Sequence, residues 1–137
     1  MYTIERKNRI REDLELRDGE KTLQMSVDLN VDEMQGKAVK AYKKVAEAQE
    51  TLRKTPDSEA AMEAYGKAAI SLFSVIFGEA GAQKILDFYE NHYTEMLLDI
   101  FPFINTVIIP KIAEASAARK AQLVEAARAT KKRGLFK

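Results

Sequence analysis

The chain contains no cysteine and a single histidine, His92, among its 137 residues. Thiolate catalysis, iron–sulfur clusters and cysteine-containing zinc sites are therefore excluded, and a histidine-rich metal site has no ligands to draw on. The missing cysteine is compatible with the cytosol without establishing it. Long uncharged runs are also absent. The longest, residues 68–78 and 100–110, fall short of the ~20 residues that a membrane-spanning helix requires. The first eleven residues are too charged for a secretory signal. These absences lead to the expectation of one small, soluble, intracellular domain with a core large enough to need no disulfide or metal staple.

Net charge is also nearly absent, at +1 from 22 basic and 21 acidic side chains. That sum hides a division. Residues 111–137 carry Lys111, Arg119, Lys120, Arg128, Lys131, Lys132, Arg133 and Lys137 against Glu114 and Glu125, a net +6, which leaves −5 on residues 1–110. Such asymmetry points to partner contacts more than the total does.

The N-terminal part reads as a β-hairpin. Ile10, Leu14 and Leu16 share one face, with Glu12, Glu15 and Arg17 among the polar flanks. Asp18-Gly19 is the expected turn pair, since both tolerate positive φ. Leu23, Met25, Val27 and Leu29 then alternate with polar residues, so one face of the hairpin must be covered by helices or by a neighbouring subunit. Asn30, followed three residues later by Glu33, predicts a helix start. Met34, Ala38, Tyr42, Val45, Gln49 and Leu52 continue at helical spacing. Residues 55–58 end that helix and open a second, whose apolar half, 68–77, is the expected central core helix. Gly66 within it predicts close approach of another backbone. Gly78 fits a helix C-terminus, residues 79–89 a short further helix, and residues 91–94 a break. A fourth helix carries Met96, Leu97, Ile100 and Phe101, and Pro102 and Pro110 should kink or divide this region. Beyond Pro110 the chain is alanine and charge, with Leu123 and Val124 the only large apolar residues from Ala113 to Arg133. A weakly attached helix, fraying toward Gly134, is expected there. The fold class is thus α+β, mostly α: a hairpin packed on a small helical bundle (residues 1–112) and a long basic helical arm (113–137).

No catalytic, cofactor or metal site assembles from these residues. His92 has no serine or acid partner in motif spacing and reads as a helix-break histidine. Gly78-Glu79-Ala80-Gly81 follows a helix and lacks the lysine and hydroxyl of a phosphate loop. Glu12, Asp13, Glu15, Asp18 and Glu20 read as solubilising and edge-protecting charges on the exposed face and turn. Two features remain open to partners. Phe101, Phe103, Ile104, Val107 and Ile108 form an apolar stripe that serves as core or, in part, as a subunit or partner interface. Arg119, Lys120, Arg128, Lys131 and Lys132 lie on the basic arm, which is either a solvated helix end or a docking arm for an acidic partner or neighbouring subunit. Nucleic acid is a weaker reading, because nothing aromatic alternates with the basic groups before Phe136.

The layout resembles the phage tail assembly chaperones. The resemblance rests on the hairpin, the polar-faced helix, the run Leu72-Phe73-Ser74-Val75-Ile76-Phe77-Gly78-Glu79-Ala80-Gly81, its continuation Ala82-Gln83-Lys84-Ile85-Leu86-Asp87-Phe88-Tyr89, and Ile100-Phe101-Pro102-Phe103-Ile104. It covers residues 10–112. It implies a non-enzymatic role in building the tail of a long-tailed bacteriophage or prophage, in the bacterial host cytoplasm. The implied partners are the tape-measure protein, which such proteins shield, and tail-tube subunits, which they recruit; no membrane is implied. Self-association is expected from the apolar stripe. The rival readings are a structural or adaptor protein retained in the particle and a small nucleic-acid-binding protein using the arm. The family commonly makes a longer product by ribosomal frameshifting, and Thr130-Lys131-Lys132 permits a slippery codon run.

Overall fold

A computed structural model describes residues 1–6 and 9–132, without the side chains of residues 35 and 130–132. The expected class is the observed one. A two-stranded antiparallel hairpin, β1 (Arg9–Asp18) and β2 (Lys21–Asn30), packs on helices α1 (Val31–Lys54), α2 (Glu59–Phe88), α3 (Tyr93–Phe103) and α4 (Ile109–Lys132). Five residues in a π turn, Ile104–Ile108, join the last two helices.

Strand pairing runs from Asp18↔Lys21 to Arg9↔Asn30, so the turn is Gly19-Glu20, one residue beyond the expected pair. Only Gly19 takes a positive φ, 62°, as a turn with glycine at its first central position requires. Ile10, Leu16, Val27 and Leu29 are buried. Glu12 departs from its expected place. It lies on the inner face opposite Val27, where its carboxylate pairs with Lys111 at the start of α4. On the outer face, the Arg9 guanidinium beside Asp28 holds that carboxyl below the usual carboxylate range.

Asn30 caps α1, its side-chain oxygen accepting from the amides of Asp32 and Glu33, and Ser58 caps α2 by accepting from Ala61. The turn end of the hairpin is held to the end of α2 by Lys21. Its ammonium donates to the Phe88 carbonyl at 3.1 Å and sits 4.9 Å from the Phe88 ring centre. Inside α2, Gly78 leaves helical geometry (φ 79°, ψ 162°), so two helical segments meet there as the sequence indicates. Close approach falls at Gly81, where a Cβ would lie 3.0 Å from Phe77 Cβ and 3.1 Å from Met25 Cε. Gly66, expected to be the crowded one, faces open space. The break after α2 comes at residues 89–92, two residues early, because Glu90 and Asn91 both enter the left-handed region (φ 53° and 61°).

The largest departure is at the prolines. Helical structure runs without interruption from Tyr93 to Lys132, and Pro102 and Pro110 flank the π turn. Met96, Ile100, Ile104, Ile108 and Ile112 recur at every fourth residue, and none is more than 2% exposed. A regular α-helix turns about 100° per residue, so each four-residue step overshoots by about 40° and four steps by about 160°. Ile112 would then face away from Met96. A turn closed by i→i+5 bonds holds one additional residue and takes back about 100°, leaving about 60°, within the width of one apolar stripe. The bond from the Ile109 amide to the Ile104 carbonyl is of this kind. The wider turn also accommodates Pro110, which lacks an amide donor, and the Thr106 hydroxyl donates to the Pro102 carbonyl at 2.6 Å.

By length and composition, Glu59–Phe88 and Tyr93–Ala129 each contain an 18-residue window apolar enough to cross a membrane, with mean hydropathies of 1.3 and 1.6 over those windows. The lengths of the uncharged runs predict the opposite. In this fold Leu72, Phe73, Ile76 and Ile85 of the first stretch and the isoleucine ladder of the second share one core.

Inserting an alanine after Thr106 should turn Ile108 and Ile112 about 100° out of the core and lower stability by about 3–6 kcal/mol. Deleting Thr106 should instead close the π turn into a regular one and keep the ladder in register. For the insertion, thermal unfolding should show a melting temperature lower by about 10 °C or more. An alanine inserted after Lys120, beyond the buried ladder, should leave the melting temperature within about 2 °C. Gly66→Ala should raise stability by about 0.5–1 kcal/mol in urea titration, since the added methyl meets no neighbour.

Candidate functional site

The two sets of sequence-predicted contacts separate in the structure. Ile104 and Ile108 are fully buried, so neither is available to a partner unless the bundle opens. Phe101 and Phe103 are half-buried and fasten α3 to two different helices. Phe101 stacks on Tyr42 of α1, with ring centres 6.4 Å apart and planes within 12°. Phe103 stacks on Phe77 of α2 at 6.4 Å and 21°, and Phe77 meets Phe73 edge-on. Tyr42 also donates from its hydroxyl to the Asn105 side chain in the π turn. Val107 is half-buried and packed against the core. The apolar stripe therefore serves the interior, its residues accommodated by the widened turn rather than left over on the surface.

The basic arm is placed differently. Among the described residues Ile112 is the last buried one, and α4 continues through 112/113 without a break. Ala115, Ser116 and Arg119 are half-buried, and Arg119 reaches Asp32 at the start of α1 at 3.5 Å. From Lys120 to Ala129 every side chain is exposed. This half continues a helix already nucleated in the core, so its alanine-rich sequence needs only propagation to stay helical. Leu123 and Val124 are 71% and 43% exposed. Lys120, Val124 and Arg128 succeed one another at i, i+4 spacing, with Leu123 and Ala127 beside them, so an apolar patch lies between two cations. The side chains of Lys131 and Lys132, and the fraying expected near Gly134, lie outside the described residues.

At the base of the arm, a groove of 490 Å³ is lined by Asp32, Ser116, Arg119, Lys120, Gln122 and Leu123. Ser116 Oγ is buried there with no hydrogen-bond partner among the described residues. Groove and patch are continuous through Leu123. Leu123 and Val124 are not among the contacts that the sequence singles out. The readable signal is their isolation as the only large apolar side chains in a run of alanine and charge.

His92 is the exposed N-cap residue of α3 and makes no side-chain capping bond. It shares a shallow cavity with Arg17, Asp18, Glu90, Glu95 and Asp99. No group of three His, Asp or Glu side chains is arranged to hold a metal ion among the described residues. Beneath this cavity the buried Tyr89 donates its hydroxyl to Asp99 at 3.0 Å. Burial first, then the bond to Asp99 and the charges of Asp99 and Glu95, push the phenol well above the usual tyrosine range.

Comparison of the chain with protein-family models, with curated proteins and with solved structures finds no match.

Tyr89 holds its proton more tightly folded than unfolded, so its contribution to stability is complete below the ordinary tyrosine pKa of about 10 and is lost as pH rises above it. Chemical denaturation followed against pH should show stability falling above about pH 10. Tyr89→Phe should reduce that alkaline slope while costing about 1 kcal/mol at neutral pH.

Proposed function

We propose that the chain is a non-enzymatic assembly chaperone of a phage tail, which holds the tape-measure protein through its helical arm and helps recruit tail-tube subunits. One observation carries this reading: the outer half of α4, from Lys120 to Ala129, is a fully exposed helix with an apolar pair set between cations. A chaperone that shields long apolar helices needs accessible apolar surface of its own, and contacts weak enough to be exchanged for those of the finished structure. Leu123 and Val124 supply a patch of that modest size. Lys120 and Arg128 add long-range attraction for an acidic client without demanding a fixed geometry.

The resemblance of residues 10–112 to phage tail assembly chaperones supports the same reading from a separate direction. It concerns the body, whereas the arm lies outside it. On this proposal the body is the rigid mount: the aromatic clamps and the isoleucine ladder fix the root of α4, and the bond from Arg119 to Asp32 steadies its base. The groove beside Ser116 and Leu123 extends the client surface from the arm onto α1. Recognition then takes the form of one amphipathic helix laid along another.

Co-expression with the tape-measure protein of the same genome tests the proposal. The long protein should be recovered soluble with this chain and largely insoluble without it. Leu123→Asp combined with Val124→Asp should abolish the rescue without lowering the melting temperature, because both side chains are exposed. Unchanged solubility in the presence of the wild-type chain would sink the reading. Salt-sensitive retention on nucleic acid, lost with the arm, would favour the nucleic-acid alternative.

A further inference from the structure

The outer edge of β1 is unpaired, since the sheet has two strands and β1 bonds to β2 alone among the described residues. Asp18 and Lys21 face each other across a two-residue turn, and residues so placed exchange both backbone bonds. Counting back in twos, the even positions of β1 bond to β2. Arg9, Arg11, Asp13, Glu15 and Arg17 therefore direct their amides and carbonyls outward.

A charged edge ordinarily deters a second chain. Here the order of the charges reverses that effect. Arg9, Arg11, Asp13 and Glu15 read plus, plus, minus, minus at alternate positions, all exposed on one face. When β1 is laid antiparallel on a copy of itself about a two-fold axis through Glu12, Arg9 faces Glu15 and Arg11 faces Asp13, twice each. Every facing pair then joins outward-bonding residues, as an antiparallel ladder requires. One ladder step to either side brings Arg11 against Arg11 or Asp13 against Asp13, and like charges directly opposite are unfavourable. A single register satisfies the edge.

We infer that two copies of the chain pair through β1, making a four-stranded sheet in the order β2, β1, β1, β2. On the inner face the same register sets Ile10 beside Leu14. It also brings the two Glu12 carboxylates together, each already balanced by Lys111 of its own chain. The contacts that Arg9 and Arg11 make with Asp28, and Ser26 with Asp13, are exposed and exchange at little cost. The pairing does not rest on the chaperone reading, and its test uses the full chain alone.

Sedimentation of the wild-type chain should show a concentration-dependent equilibrium between monomer and dimer. Arg11→Glu and Asp13→Arg each place like charges at two symmetric contacts and should weaken the dimer about tenfold or more, with unchanged circular dichroism. Mixing the two variants restores opposite charges at every contact and should return a heterodimer of near wild-type affinity. Lys120→Glu, on the arm, should leave the dimer as it is. A wild-type chain that stays monomeric at every soluble concentration would overturn the pairing. So would a dimer indifferent to both reversals, a mixture no tighter than either variant alone, or a monomer that takes an extended peptide along β1 instead.

Discussion

Met96, Ile100, Ile104, Ile108 and Ile112 must all face the same way, and the bundle depends on the helix turning by the right amount to let them. An unmodified α-helix would spread these five side chains around nearly half its circumference. The π turn removes most of that rotation at the one place where two prolines already weaken the regular bonding pattern. Its consequences reach both neighbours: the stacked rings of Tyr42 and Phe101 tie the corrected helix to α1, and those of Phe77 and Phe103 tie it to α2. Hairpin and bundle then meet across Val27, Leu29 and Met25 on one side and the small surface of Gly81 on the other.

Local signals account for what was legible in the sequence. Strict alternation in β2, the Asn30 and Ser58 caps and the glycine at position 78 all act within a few residues, and each appears where periodicity and side-chain chemistry place it. The parity that places Ile10, Leu14 and Leu16 inside also places Glu12 there. Reading it as outward overlooks that a carboxylate can face inward when a lysine from a distant helix reaches it. The prolines mislead for a related reason. Taken singly, each predicts a break, whereas the four-residue spacing of the isoleucines between and beyond them signals a continuous helix that carries one extra residue. Gly66 shows the opposite limit, since no local pattern tells an uncrowded glycine from a crowded one.

Among the candidate contacts, legibility divides in the same way. The stripe from Phe101 to Ile108 is visible as apolar, but whether it faces a partner or the core depends on the width of the turn that carries it. Arg119, Lys120 and Arg128 are visible as a basic group. Their roles separate only when the helix is built: Arg119 braces the base against Asp32, while Lys120 and Arg128 frame the exposed leucine and valine. The body and the arm thus divide between them a packed, stable core and an exposed, weakly apolar helix face.

The unbroken passage from π turn to arm has a consequence for how this chain can change over generations. Adding or losing whole turns beyond Lys120 lengthens or shortens the reach of the arm while preserving the direction its patch faces. A single-residue loss between Ile104 and Ile108 is absorbed when the π turn closes into a regular one. A single-residue insertion there acts on two surfaces at once, spoiling the interior ladder and swinging Leu123 and Val124 about 100° around the helix axis. Descendants of this sequence should therefore vary freely in arm length while gaining no residue between Pro102 and Pro110.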